Sequence, residues 1–368
     1  MTVSNMHRGR ARLAAVFQVR TAVAAGIVAL GSTLAGPASA AAPARVLETG
    51  SSLLYPLFNL WVVDYGKKHP DVQITTQSTG SGTGISQAIS GIAQIGASDA
   101  YLSNPQMKQK PGMLNIPLAI SSQMINYNLP GQNDTHLKLS GPVLAGIYSG
   151  SITFWDDKKI ADLNPGVKLP HKTIVPVHRT DGSGDTFIFS QYLAFSTPAW
   201  SKTAGYGTTV SWPPVQGGIG AEGNPGMVNA VKGTPYSIAY IGISFKNATD
   251  KAKLGEAALE NRAGKFVLPS DKTVEAAVAA TTSKTPNDER ISLVFAPGAE
   301  SYPIINYEYA IVKAAQPNPE MAKTLKSFFD WAILPTGGAA PHYVKAVGFI
   351  ALPGAIAKLS EKQIATLH

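Results

Sequence analysis

The chain has 368 residues, with 31 lysines and arginines against 23 aspartates and glutamates, seven histidines and no cysteine. That length suffices for two domains with substantial cores, and the missing cysteine excludes disulfides, thiol chemistry and a cysteine-borne lipid anchor. Four basic residues (Arg8, Arg10, Arg12, Arg20) lie in the first forty; without them 27 basic residues (31 − 4) face 23 acidic ones, a mild excess of +4 with no basic and aromatic tract, so no nucleic-acid partner is expected.

Those arginines precede an apolar run from about Ala22 to Leu34, then Gly36, Pro37 and the small triplet Ala38, Ser39, Ala40. This order predicts a secretory signal over residues 1–40, cleaved before Ala41, and an exported, periplasmic protein without a lipid anchor. No later apolar run reaches the roughly 18 residues that a membrane-spanning helix needs.

From Val46 onward, short β-type runs alternate with helical ones. Val46 and Leu47 read as a strand, residues 48–53 as a loop, and Pro56 to Lys68 as a helix burying Leu57, Trp61, Val62 and Tyr65. Val72 to Thr76 is the next strand. It enters the loop Thr79-Gly80-Ser81-Gly82-Thr83-Gly84, followed by a helix with Ile85, Ala88, Ile89 and Ile92 in register. Ile95 to Ala97 is a third strand, ending at Ser98-Asp99. Gln123 to Leu129 is a continuous extended run, with a domain boundary near Ile120 to Asn128. Ile174 to Val177 and Ser237 to Ile243 read as strands, residues 217–226 as a glycine-rich loop, Tyr302 to Val312 as a return crossing, and Ala322 to Ile333 as a helix. Trp61, Trp155 and Trp331 are expected in the core, and Trp200 and Trp212 in a Pro-rich surface excursion. Strand, loop and helix in rotation predict an α/β fold whose loops at the strand ends form the binding face. There is no internal repeat.

The stretch from His178 to Phe187, His-Arg-Thr-Asp-Gly-Ser-Gly-Asp-Thr-Phe, has the composition of an oxyanion seat. Gly182 and Gly184 let backbone N–H groups converge, a helix start adds unpaired donors, and Arg179 brings a permanently charged fork. An ordinary Asp-Gly turn with Arg179 on the surface is the plain alternative. Ser51-Ser52, Ser81 and Asp99 share the seat's character, since each lies in a loop at a strand end and the serines precede helices. An ionised Asp only accepts hydrogen bonds, so Asp99 repels a bare sulfate but accepts the proton that phosphate keeps near neutral pH; the alternative is a helix cap after Ser98. Asp181 or Asp185 partners Arg179. The histidines lack metal spacing, His178 reads as a satisfied neighbour of Arg179, and neither a nucleotide loop nor the Gly-x-Ser-x-Gly nucleophile motif is complete. No catalytic residue, metal or cofactor is assigned.

Several motifs, in order, resemble the periplasmic phosphate-binding proteins that feed the phosphate-specific ABC transporter, the PstS family, and look closest to its mycobacterial-type branch. They are Thr49-Gly50-Ser51-Ser52-Leu53-Leu54-Tyr55-Pro56, Gly80-Ser81-Gly82-Thr83-Gly84-Ile85, Gly96-Ala97-Ser98-Asp99, Ile152-Thr153-Phe154-Trp155-Asp156-Asp157, Arg179 to Phe187, and Tyr302-Pro303-Ile304-Ile305-Asn306-Tyr307. The resemblance implies a two-lobed type II periplasmic-binding-protein fold, with phosphate between the lobes and two hinge crossings. The lobes would be residues 44–122 plus 301–368, and 123–300. It places phosphate on Ser51, Ser52, the Leu53 N–H, Ser81, Asp99, Arg179, Ser183, Gly184 and Asp185, leaving open whether Asp185 accepts a second phosphate proton or braces Arg179. It also implies membrane permease subunits as partners of a monomeric receptor that is not an enzyme. Mycobacterial members are typically lipoproteins, which this cysteine-free chain does not match. A secreted phosphate-ester hydrolase built on the same anion seat is the alternative, and a sulfate receptor is a third reading.

Overall fold

A single 16-residue strand, Met113–Asn128, runs through the middle of the molecule and changes partners half-way. In the computed structural model, which describes residues 43–368, it is the fourth of twelve strands; the signal segment expected over residues 1–40 lies outside the described residues. In chain order the strands are β1 (Ala44–Gly50), β2 (Val72–Ser78), β3 (Ile95–Ser98), β4 (Met113–Asn128), β5 (Lys138–Leu139), β6 (Val175–Arg179), β7 (Ile219–Ala221), β8 (Ser237–Gly242), β9 (Gly255–Glu256), β10 (Ala258–Glu260), β11 (Phe266–Val267) and β12 (Ile305–Lys313). The main sheet follows the order β2-β1-β3-β12-β4-β8-β6-β7, with β9 also on β4, and β11-β10-β5 form a small second sheet.

From Met113 to Ser122, β4 pairs antiparallel with β12; from Gln123 to Asn128 it pairs antiparallel with β8. All of its residues except Leu114 and Asn128 are buried, including the polar Asn115, Ser121, Ser122, Gln123 and Asn126. Each half of the sheet contains parallel strands joined through helices: β1 lies between β2 and β3, and β6 between β7 and β8. Parallel strands need such crossovers, and each crossover helix begins just beyond the carboxyl end of a strand. The helices Tyr55–Lys68, Ser81–Ser90, Gly184–Ser196 and Gly223–Gly233 follow β1, β2, β6 and β7 in this way.

Aromatic residues fill both halves. In the first, Phe58, Trp61, Tyr65 and Phe328 pack with ring centroids 5.1–6.2 Å apart, and the Trp61 indole donates to the Gly338 carbonyl at 2.8 Å. In the second, Tyr148, Phe189, Trp212 and Tyr240 pack with ring centroids 4.5–6.0 Å apart.

Some expectations change. β1 extends to Gly50 where a loop was expected from residue 48, because hydrogen-bonded ladders to β2 and β3 continue on both sides. The helix after β2 begins at Ser81, since Gly80 takes a positive φ of 85° and turns the chain into it. Ile92 is exposed rather than in register, because left-handed Gly91 ends that helix before it. Val62 and Ile89 are only half-buried, as is Trp331 at the edge of its cluster. Trp200 is buried: its indole donates to the Gly205 carbonyl at 2.8 Å, and it packs against half-buried Trp212.

Candidate functional site

Every residue predicted for the anion seat lies at the carboxyl end of a parallel strand or at the start of the following helix. Ser51, Ser52 and Leu53 follow β1, Ser81 opens the helix after β2, and Asp99 follows β3; Arg179 ends β6, and Ser183, Gly184 and Asp185 begin the helix after it. Contacts tie these segments together across the sheet. The Ser51 hydroxyl donates to Asp99 and accepts from the N–H groups of Leu53 (3.1 Å) and Leu54 (3.0 Å), and the Asp99 N–H donates to Ser81 Oγ at 3.3 Å. Ser183 caps its helix by accepting from Thr186 N–H at 3.2 Å. The helix-cap alternative for Asp99 fails, because Ser103 caps the next helix while the buried Asp99 side chain faces Ser51.

The two halves approach at glycines. The Gly82 N–H donates to the Gly182 carbonyl at 2.8 Å, and a Cβ added at Gly182 would lie 3.1 Å from the Gly82 Cα. A Cβ at Gly184 would come within 2.3 Å of Asp99 Oδ2, so only glycine lets that helix start meet the carboxylate.

Arg179 is almost wholly buried, which rules out the surface-arginine alternative. Its Nε donates to Asp181 Oδ1 at 2.7 Å, its Nη2 to Asp181 Oδ2, and its Nη1 to Asp185 Oδ2 at 2.8 Å. Both candidate aspartates therefore partner it. A guanidinium has five N–H donors; three are engaged, which leaves two. Burial by itself would lower the arginine's pKa, but the two aspartates reverse this and hold it above the ordinary value. Burial opposes ionisation of Asp181, yet Arg179 keeps its carboxyl below the usual range. His178 is satisfied as expected, its Nδ1 lying 3.1 Å from the Arg179 carbonyl while its ring stacks on Trp212.

Asp185 is held on all sides. Besides Arg179 it accepts from Gln123 Nε2 at 3.0 Å and from Asn224 Nδ2 at 2.7 Å. Asn224 also donates through its N–H (3.1 Å) and Nδ2 (3.0 Å) to Ser52 Oγ, linking the helix start after β7 to the loop after β1. Neither Gln123 nor Asn224 was anticipated. The glycine-rich stretch 217–226 was the signal for Asn224, whereas Gln123, in an apolar strand, gave none.

Behind Asp99, on β12, lies the buried Glu308, another unpredicted residue. Burial raises the Asp99 pKa far above the carboxylate range, and the neighbouring Glu308 and Asp185 charges add to this, against the Ser51 hydrogen bond. Glu308 is pushed up to about 7, chiefly by burial. The site thus combines an encased guanidinium, four convergent helix starts and a carboxyl pair that retains hydrogen, which is suited to a small tetrahedral oxyanion carrying a proton.

The PBP superfamily domain matches residues 37–336. The phosphate-binding protein PstS of Methanocaldococcus jannaschii is 36% identical over 345 residues, covering 88% of this chain and 87% of that protein. This chain belongs to the PstS family of phosphate-binding proteins. Phosphate-binding protein PstS 3 of Mycobacterium leprae is 30% identical over 339 residues, covering 88% of each chain, so the likeness includes the mycobacterial branch without being confined to it. Among solved structures, a phosphate-binding protein from Stenotrophomonas maltophilia superposes with a TM-score of 0.64 at 19% identity, covering 86% of this chain and 93% of that one. The fold is the type II periplasmic-binding-protein fold.

Proposed function

We propose that this chain is a high-affinity receptor for inorganic phosphate that delivers its ligand to the membrane permease subunits of an ABC transporter for import. The observation that carries the reading is the pairing of a buried arginine that keeps two free N–H groups with a carboxyl, Asp99, placed to accept a hydrogen. In this reading phosphate oxygens take hydrogen bonds from Arg179, from the hydroxyls of Ser51, Ser52, Ser81 and Ser183, and from backbone N–H groups at Leu53 and Gly184, with the Ser51 hydroxyl giving up Asp99 and the Leu53 N–H giving up Ser51 Oγ for the ligand. Asp99 accepts the proton that phosphate keeps. Sulfate has none at neutral pH, so its oxygens would oppose an acceptor. Asp185 braces Arg179, a role that the three hydrogen bonds its carboxylate accepts, one of them the ion pair with Arg179, favour over a direct one.

We read the lobes as residues 44–122 plus 301–368, and 123–300. The first crossing is the point where β4 exchanges β12 for β8, at Ser122 and Gln123. The second lies alongside, where the Gln123 N–H donates to the Ile304 carbonyl at 3.0 Å and the Tyr302 hydroxyl to the Gln123 carbonyl at 2.8 Å. Hinge motion there opens and closes the cleft. The receptor works as an exported, periplasmic monomer and not as an enzyme; the relatives are named for binding, and no observation favours the hydrolase alternative.

Calorimetric titration with phosphate, repeated with sulfate present in excess, tests this reading. Tight phosphate binding undisturbed by sulfate is expected. Effective competition by sulfate would remove the role given to Asp99, and no phosphate binding at all would remove the function.

A further inference from the structure

Around the seat four carboxylates, Asp99, Asp181, Asp185 and Glu308, face one guanidinium, Arg179. Fully ionised, the cluster would carry a charge of −3, which would repel any anion. Arg179 touches only Asp181 and Asp185, so Asp99 and Glu308 have no cation beside them and hold a proton between them instead. Without a ligand Asp99 holds that proton more tightly, its carboxyl being raised further than that of Glu308, and Glu308 is the group placed to take it over. Its Oε1 accepts from Ser121 Oγ (2.5 Å) and Asn306 Nδ2 (3.1 Å), while its buried Oε2 has no donor at all. The Asp99 and Glu308 carboxyls lie within hydrogen-bonding reach of each other, and two ionised carboxylates there could only repel each other.

We propose that Glu308 is a positioning residue for ligand recognition, taking over the pair's shared proton when phosphate binds and donating it as a carboxylic-acid hydrogen bond to Asp99, so that Asp99 is left with an oxygen free to accept the ligand's own proton. This rests on the phosphate-receptor reading and adds to it a residue that need not touch the ligand. A proton on Asp99 instead would make it a donor, and the discrimination against sulfate would vanish. Asn306 reinforces the arrangement by donating to the Asp99 carbonyl at 3.3 Å. The titratable groups facing Glu308 are Asp99, beyond β3, and Asp185, at the helix start after β6 and paired with Arg179; β4 presents Ser121 and its own strand Asn306.

Phosphate and sulfate calorimetry on wild type, Glu308→Gln and Glu308→Leu between pH 6 and 8.5 tests the assignment. The amide reproduces both the acceptor and the donor of the neutral acid, so at pH 7 Glu308→Gln should bind phosphate within about threefold of wild type and still reject sulfate. Glu308→Leu should bind phosphate roughly tenfold or more weakly and discriminate less. As pH rises toward 8.5 the wild-type pair gives up its proton, so the ratio of wild-type to Gln affinity, in which the ionisation of phosphate itself cancels, should fall. A Gln variant as weak as Leu, or a ratio that does not move with pH, would overturn the proposal. If wild type binds no phosphate, the receptor reading fails separately, and the carboxyl pair is then read from unliganded melting temperatures. Wild type should lose stability more steeply than Glu308→Gln between about pH 5 and 8, and equal slopes would refute the shared proton.

Discussion

Asp181 and Asp185, on one side of the cleft, and Asp99 and Glu308, on the other, are all carboxylates near the same seat, yet they are neutralised by different means. The first pair closes on Arg179, with every Asp185 oxygen satisfied by Arg179, Gln123 or Asn224. The second pair makes no ion pair among the described residues and lies buried, so it keeps hydrogen instead. A fixed charge pair can hold an anion but cannot tell one tetrahedral oxyanion from another. A carboxyl pair sharing one proton reads whether the ligand carries hydrogen. On the proposed reading, grip and identity fall to opposite halves of the sheet, and the ligand is recognised only when the halves meet.

The largest break in this division is Arg179→Ala. Phosphate binding should fall below detection by calorimetry, and because Asp181 and Asp185 would be left buried without their cation, the unliganded protein should lose about 3–5 kcal/mol in denaturant unfolding. Retained phosphate binding would remove the guanidinium from the seat. Next comes Asp99→Asn, which replaces an obligate acceptor with a group that can also donate. The preference for phosphate over sulfate should shrink by about a hundredfold or more, against the roughly 10⁴–10⁵-fold that an unpaired buried polar group can impose. An unchanged preference would show that the hydrogen is read elsewhere.

Gly184→Ala addresses the meeting of the halves. The added methyl carbon would lie 2.3 Å from Asp99 Oδ2, so the helix start or the carboxylate must move. Forced shifts of this kind cost about 1–3 kcal/mol, and here the loss should appear as a ten- to hundredfold weaker affinity with melting temperature little changed, since the open form relieves the clash. An equal affinity would mean that the close approach of Gly184 is incidental.

What the sequence discloses follows from how local each feature is. The seat from Arg179 to Asp185 was legible because its chemistry lies in seven consecutive residues, and Ser51, Ser52, Ser81 and Asp99 because each follows a short β-type run. The fold class came from the alternation of strands and helices. The partners that hold the seat were not legible. Gln123 and Glu308 sit within strands whose neighbours are buried on both faces, and nothing local says that a polar residue there faces another chain segment rather than the core. Their only trace was a polar or acidic side chain interrupting an apolar strand. The same trace marks Glu48, read as a loop residue, which is buried in mid-strand.

Glu48 supplies the smallest prediction and sharpens the contrast between charge-paired and proton-bearing carboxyls. It lies three residues before Ser51; Thr76 donates to its Oε2, and its Oε1 has no partner. Burial pushes its pKa up to about 8 from the ordinary 4.5, against the hydrogen bonds from Thr76 and Gln77. The folded state therefore binds the proton more tightly than the unfolded chain does. The stability this gives is fully present below about pH 4.5 and is lost as the pH climbs through the folded value near 8. Wild-type melting temperature should accordingly decline from pH 5 to 8, and Glu48→Gln should decline by a few degrees less. Some slope should remain in the variant, because Glu289 is raised to about 8 in the same direction. Arg179-paired Asp181 behaves oppositely, its depressed pKa adding stability that disappears only when the solution is acidified. Should Glu48→Gln leave the profile unaltered, Glu48 is ionised in the folded protein, and burial in this sheet does not by itself keep a carboxyl protonated.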